Sequence, residues 1–248
     1  MEVLSDQDRA IYEWQLDVPG MGESGQLKLR NSTALVSRVG GLGGPLCFSL
    51  AAAGIGKIII AHAGDLRLDD LNRQILMSYD GLGKPRADTI QETLNRFNPH
   101  IEIEVIAENI CEDNVTSLVN QADIVFGAAP LFEERFLLNR ECVRRRIPLI
   151  DSAMFNMEGH VIPIVPGETP CLACLYPEIP PHWKREFPVI GAVSALAANI
   201  GAVEGIKLLS GVGQVQKGKM IFFDAGTMNF QKITIKKNPD CAICGELK

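Results

Sequence analysis

The sequence has no excess of positive charge. Its 24 Lys and Arg are outnumbered by 30 Asp and Glu, for a formal net charge of −6. That balance argues against binding to a nucleic-acid backbone or an anionic membrane surface. The opening MEVLSDQDRAIYEWQ lacks the basic and apolar regions of a secretory signal, so the expectation is a cytoplasmic protein. No unbroken apolar run reads as a membrane span. The longest stretch, IGAVSALAANIGAVEGIKLL at 190–209, is interrupted by Glu204 and Lys207 and is rich in Gly and Ala. It reads as a buried core helix. Repeats and low-complexity tracts are absent. The cysteine count, 7, is odd, which argues against a disulfide scaffold and for reduced thiols or a metal. His62, His100, His160 and His182 show no metal-ligand spacing, and no Ser-His-Asp pattern is visible.

What is present supports one domain over residues 1–248, with 46% hydrophobic composition to fill a sizeable core. SGQLKLRNS reads as a short helix leading into a buried strand at 34–39, ALVSRV. A glycine turn, GGLGGP, then a helix at 45–54 opened by Pro45 and a strand at 57–63, KIIIAHA, follow. Helices are expected at 84–99, within 114–122 and at 131–146, with strands at 101–108, 123–129, 147–153 and 160–166. A final antiparallel hairpin is expected around Gly226, from 218–225 and 229–237. This alternation predicts an α/β fold with a doubly wound, mostly parallel sheet and C-terminal antiparallel strands. The Pro-rich stretch 176–189 is expected to be a mobile loop crossing a site.

The strongest chemical signal is a pair of CxxC motifs, Cys171–Cys174 and Cys241–Cys244, each beside a proline. Two such turns brought together offer four thiolates in the tetrahedral arrangement zinc prefers. The alternative is one redox pair and a coincidence. The long separation of the two motifs exceeds a compact zinc ribbon, so such a site would staple the 238–248 tail onto the crossover at 171–189. With four sulfur ligands its role would be structural.

SRVGGLGGP at 37–45 is the second signal. Gly40 and Gly43 keep the register of a G-x-G-x-x-G loop, but Arg38 stands at its first glycine. Taken alone this is as readily a tight turn with no ligand as a nucleotide site. A dinucleotide site wants an acid at the end of the second strand. His62 and Ala63 stand there, and the first acid is Asp65, which speaks against an NAD-dependent oxidoreductase. Arg38 is expected to point away from any nucleotide, because its Cβ resists the positive φ that glycine tolerates. Beyond the strand, GDLRLDDLNRQILMS carries Asp65, Arg67, Asp69, Asp70, Asn72, Arg73 and Gln74. Arginine matches phosphate geometry, and carboxylates can carry magnesium. The plainer reading is a solvated helix start with i,i+3 and i,i+4 pairs. Lys84 and Arg86 at the next helix start could form a second polyphosphate clamp.

In order, the glycine turn, NRQIL, GKPR, RFNPHI, a Gly/Ala-rich helix ending EGIKLLSG and the paired CxxC knuckles resemble the ThiF/MoeB/HesA family, bacterial relatives of ubiquitin-activating enzymes. The resemblance runs from about Asp8 to Gly245. AGDLRLDDLNRQ and FPVIGAVSALAA are most similar to its HesA branch. It implies a Rossmann-like fold, a homodimer, structural zinc, and ATP with magnesium. It also implies adenylation of a carboxylate, usually the C-terminal tail of a small ubiquitin-like sulfur-carrier protein. Arg73 and Arg86 would carry catalysis. Gly40, Gly41, Gly43, Asp65, Asp70, Gln74 and Lys84 would complete the nucleotide site, and Cys171, Cys174, Cys241 and Cys244 the metal site.

The match has departures. Asp70 stands where the family commonly has Asn, and Arg86 where it has Lys. His62 replaces the ribose-binding aspartate, and Trp14 the arginine that crosses the dimer. Pro130 replaces the aspartate of a T-D-N motif, leaving Asp65, Asp69, Glu133 or Glu134 to carry the metal. The stretch 176–189 has no cysteine, so the thioester-forming residue of eukaryotic relatives is missing there. Two alternatives follow: adenylation of a small-molecule carboxylate, or a degenerate subunit that binds nucleotide or a partner without turnover.

Overall fold

A computed structural model describes residues 3–180 and 188–247. Its sheet has eight strands, β1 (Thr33–Ser37), β2 (Lys57–Ala61), β3 (Glu102–Ile106), β4 (Ile124–Gly127), β5 (Leu149–Phe155), β6 (Glu158–Ile164), β7 (Lys219–Asp224) and β8 (Asn229–Thr234). Their spatial order is β3-β2-β1-β4-β5-β6-β7-β8. The first five are parallel, and β6, β7 and β8 pair antiparallel. The chain order reverses between β1 and β4, and in an open α/β sheet the crevice beyond the strand ends at that point is where ligands bind.

The strand sequences follow from burial on both faces. Ala34, Val36, Ile58, Ile60, Ile124 and Phe126 join one core, while Leu35, Ile59, Ala61 and Val125 join the other. Alternate side chains point to opposite faces, so strands covered on both sides read as continuous apolar runs. The first face is covered by α2 (Gly22–Arg30), α3 (Gly43–Ala53), α4 (Arg86–Phe97) and α8 (Gly191–Ser210), the second by α5 (Glu112–Val119) and α6 (Phe132–Arg145). Among the described residues, α8 is the one helix long and apolar enough to cross a membrane. It packs instead on α3, β5 and β6, and Glu204 within it is buried against Lys207.

The expected elements are present with shifted ends. One was missing from the expectation, α1 (Asp6–Leu16). Its cap is local: Ser5 Oγ accepts the Asp8 N–H at 3.1 Å and Asp8 returns the bond to the Ser5 N–H at 2.9 Å. The stretch after β2 is not a regular helix. It is a 3-10 turn at Leu68–Asp70 followed by further turns. The α7 turn (Leu172–Leu175) holds Cys174, with Cys171 at its N-cap. The expectation of a mobile loop at 176–189 falls largely on 181–187, outside the described residues.

Candidate functional site

The site is built on the turn between β1 and α3. Arg38 sits in the left-handed region at φ 64°, a conformation that costs a non-glycine residue roughly 1–2 kcal/mol. The turn is therefore not reshaped by losing its first glycine. Arg38 adopts the backbone that glycine would, and its Nε donates to Glu134 Oε2 on α6 at 2.7 Å. The side chain is thus tied to α6 while the residue lines the cavity above the turn. Burial pushes the Glu134 carboxyl up against the pull of Arg38. Glu134 thus gives one oxygen, Oε2, to Arg38, and Gly43 has a packing role. A Cβ at Gly43 would run into the Arg38 carbonyl oxygen, and Gly43 does not line the cavity. Gly40 and Gly41 do line it, and a Cβ on Gly41 would lie 2.9 Å from the Arg73 Cβ and Cγ.

The cavity has a volume of about 880 Å³ and follows the strand ends from His62 across the turn to Ser152 and Met154. That is within the usual range for a small-molecule site. Two of its cations, Arg73 and Arg86, are organised by Asp70, which is 5% exposed. Asp70 Oδ1 accepts from Arg73 Nη2 at 3.1 Å and Gln74 Nε2 at 2.6 Å. Oδ2 accepts the Arg67 amide at 3.0 Å and Arg86 Nη2. Asp70 therefore faces the protein and positions the guanidinium groups. Burial alone would raise its carboxyl, but the Arg86 hydrogen bond, the Arg67 amide and the charges of Arg86 and Arg73 hold it below the usual range. Arg86 Nε and Gln74 Oε1, on residues lining the cavity, are buried without a hydrogen-bond partner.

The remaining candidates are dispersed. Asp65 is exposed at the cavity edge, bridged to Pro85, and Asp69 lines the cavity while pairing with Arg67 at 2.9 Å. Lys84 is exposed and does not line the cavity, because the strand-like bridge carries it past the rim. His62 and Pro130 both line it. Trp14, on α1, is 89% exposed and is not among the cavity-lining residues.

Sequence reasoning missed Arg135 and Asp151. Both are buried, and they form a two-pronged ion pair at 2.9 and 2.6 Å with Arg135 on the cavity wall. The Phe132 ring centre lies 4.6 Å from the guanidinium carbon, and Tyr176 stacks edge-on against Phe132. Burial opposes the Arg135 charge, but Asp151 outweighs it and keeps the group cationic. No spacing advertised the pair, since the partners lie on separate elements.

The four CxxC thiols converge as expected. All four Sγ atoms lie within 4.8 Å of one another, with Cys171–Cys241 at 3.7 Å and Cys174–Cys244 at 3.4 Å. Ligands 2.3 Å from a tetrahedral zinc stand about 3.8 Å apart, so the donor set fits that ion.

Comparison with known proteins agrees with this geometry. The model of the ThiF family matches residues 12–243. The chain belongs to the ThiF family. Among similar ThiF-family proteins, the heterocyst HesA of Trichormus variabilis is 45% identical over 98% of this chain and 91% of its own. The sulfur carrier protein adenylyltransferase of Thermus thermophilus is 31% identical over 95% and 90%. E. coli MccB solved with ATP has a TM-score of 0.77 and 25% identity, over 90% of this chain and 69% of MccB. With MccA-N7isoASN it reaches 0.87 at 25% identity, over 98% and 76%.

Proposed function

We propose that this ThiF-family chain is an ATP-dependent adenylyltransferase that activates the C-terminal carboxylate of a small ubiquitin-like sulfur-carrier protein. The observation that carries the reading is the Asp70-centred cluster, which holds Arg73 and Arg86 on the wall of a cavity at the switch point of the sheet. The triphosphate would lie against these two arginines, with Gly40 and Gly41 allowing close backbone approach. The substrate carboxylate oxygen forms a bond to the α-phosphorus as the α–β bridging bond breaks, and its electron pair leaves with pyrophosphate. Charge develops on the departing oxygens, where fixed guanidinium groups stabilise it most. Magnesium would supply further neutralisation, with Asp65 and Asp69 as the cavity-lining acids to hold it. Cys171, Cys174, Cys241 and Cys244 would hold structural zinc. A homodimer completes the reading, with exposed Ile11, Trp14 and Val18 as its apolar surface.

One observation favours a second reading. Pro130 lines the cavity where a carboxylate would be useful, and proline has no side chain to offer a metal. The chain would then be a partner subunit that binds nucleotide without turning it over. Calorimetric titration with ATP tests the shared premise. Binding that strengthens with magnesium and weakens at least about tenfold in Arg73→Ala supports a working site. Absence of binding to the folded protein refutes both readings.

A further inference from the structure

If ATP occupies the cavity as proposed above, its sugar falls near the end of β2, where doubly wound sheets commonly place an acid for the ribose hydroxyls. Here His62 occupies that end. The residue is 6% exposed and its Nδ1 accepts the Val39 N–H at 3.1 Å. An amide can only donate, so this bond puts the ring proton on Nε2. Burial, with the charges of Arg86 and Arg38 beside it, pushes the imidazole down to about 4, and the ring is neutral near pH 7. Nε2–H has no hydrogen-bond partner among the described residues, and His62 lines the cavity. Asn109 lines it too, with its Oδ1 taken by the Ala63 N–H at 3.1 Å, which leaves its amide N–H groups to donate. Arg38 stands on the same wall. Of the nearby acids, Glu134 gives its Oε2 to Arg38 and Asp70 is filled by Arg67, Arg73, Gln74 and Arg86, while Asp65 stands exposed at the cavity edge.

We propose that His62 Nε2–H and Asn109 Nδ2–H make a donor-only sugar subsite, which reads an acceptor at the ribose 2′ position and not a hydroxyl proton. A carboxylate at this point would require sugar hydroxyls and repel a 2′-phosphate. The donor set accepts a hydroxyl oxygen and accepts a phosphate better, because a charged acceptor strengthens each bond. The site thus takes adenosine nucleotides with loose control of the 2′ substituent.

The test is calorimetric binding of ATP against 2′-deoxy-ATP, and of AMP against adenosine 2′,5′-bisphosphate. In the wild type, removal of one neutral hydrogen bond costs less than about tenfold, and the bisphosphate binds at least about threefold more tightly than AMP. His62→Gln keeps a donor and retains that order. His62→Asp reverses it, with the bisphosphate falling below AMP. A wild type that binds the bisphosphate more weakly than AMP overturns the donor-only subsite while leaving adenylation standing. Recovery of the bisphosphate in Asp65→Asn would then identify the acid that reads the sugar. If the folded protein binds none of the four nucleotides, the adenylation reading fails and the subsite with it.

Discussion

Asp70→Asn keeps the size of the central side chain and removes its charge. In the folded chain that carboxylate takes hydrogen bonds from Arg67, Arg73, Gln74 and Arg86. The Arg86 side chain is 11% exposed and that of Arg73 is 25% exposed. Stranding a buried guanidinium without its partner costs about 3–5 kcal/mol. Arg73 is partly screened by water, and the Asn oxygen still serves Gln74, so the lower end, about 3 kcal/mol, applies. In a chain of this size each kcal/mol lowers Tm by about 2–4 °C, which gives a fall of about 6–12 °C at pH 7. The pH dependence is fixed in sign. The Asp70 carboxyl is held below its ordinary range, so its stabilisation is whole above about pH 4 and is lost as pH falls through the lower folded-state value. Thermal unfolding of both proteins from pH 7 to pH 3 should show a constant gap down to about pH 4 and a narrowing gap below it. A variant that melts with the wild type at pH 7, or a gap that widens in acid, would refute the role given to Asp70.

Three further outcomes are expected. Gly43→Ala should fold poorly, losing several kcal/mol because its Cβ meets the Arg38 carbonyl, whereas Gly40→Ala, with Gln74 Nε2 4.0 Å away, should lose no more than about 1 kcal/mol; urea denaturation separates them. His62 and His160, buried and both pushed down to about 4, resist the proton that the unfolded chain takes up below about pH 6.5, so stability falls as pH drops from there toward 4. His62→Gln should make that fall shallower in urea titrations, and an unchanged slope would contradict the burial assigned to the ring. Emission spectrometry should find one zinc per chain, lost in Cys174→Ser together with protease resistance of the 238–247 tail; a metal-free, fully folded wild type would remove the staple.

Much of the architecture was legible because strands buried on both faces cannot hide. KIIIA and IVFG are continuous apolar runs, and the glycine and proline signals between them mark the turns. The cysteine cluster was legible for a different reason, since metal geometry demands a fixed local spacing. Helix α1 was not, because it buries only Asp8 and Tyr12 and so has little apolar periodicity. The Ser5–Asp8 cap was its one local signal. The site was legible as a set of charges but not as an arrangement. Asp70 looked like one of several acids available to a ligand, and only packing shows that its oxygens are filled by the protein. Arg38 shows the same limit. Steric preference argued that Arg38 would point away from any nucleotide, but it keeps the left-handed backbone, pairs with buried Glu134 and lines the cavity. Arg135 and Asp151, on α6 and β5, have no pattern in sequence because their relation exists only across the fold.

Carboxylate-dependent exchange of labelled pyrophosphate into ATP tests the central claim most directly. The wild type, zinc-loaded and supplied with small ubiquitin-like sulfur-carrier proteins, should exchange only when a carrier with a free C-terminal carboxylate is present, and Arg73→Ala should lose at least about a hundredfold of that rate. Folded protein that binds ATP yet exchanges with no carrier would contradict adenylation of a carrier and leave adenylation of a small-molecule carboxylate or a nucleotide-binding partner subunit.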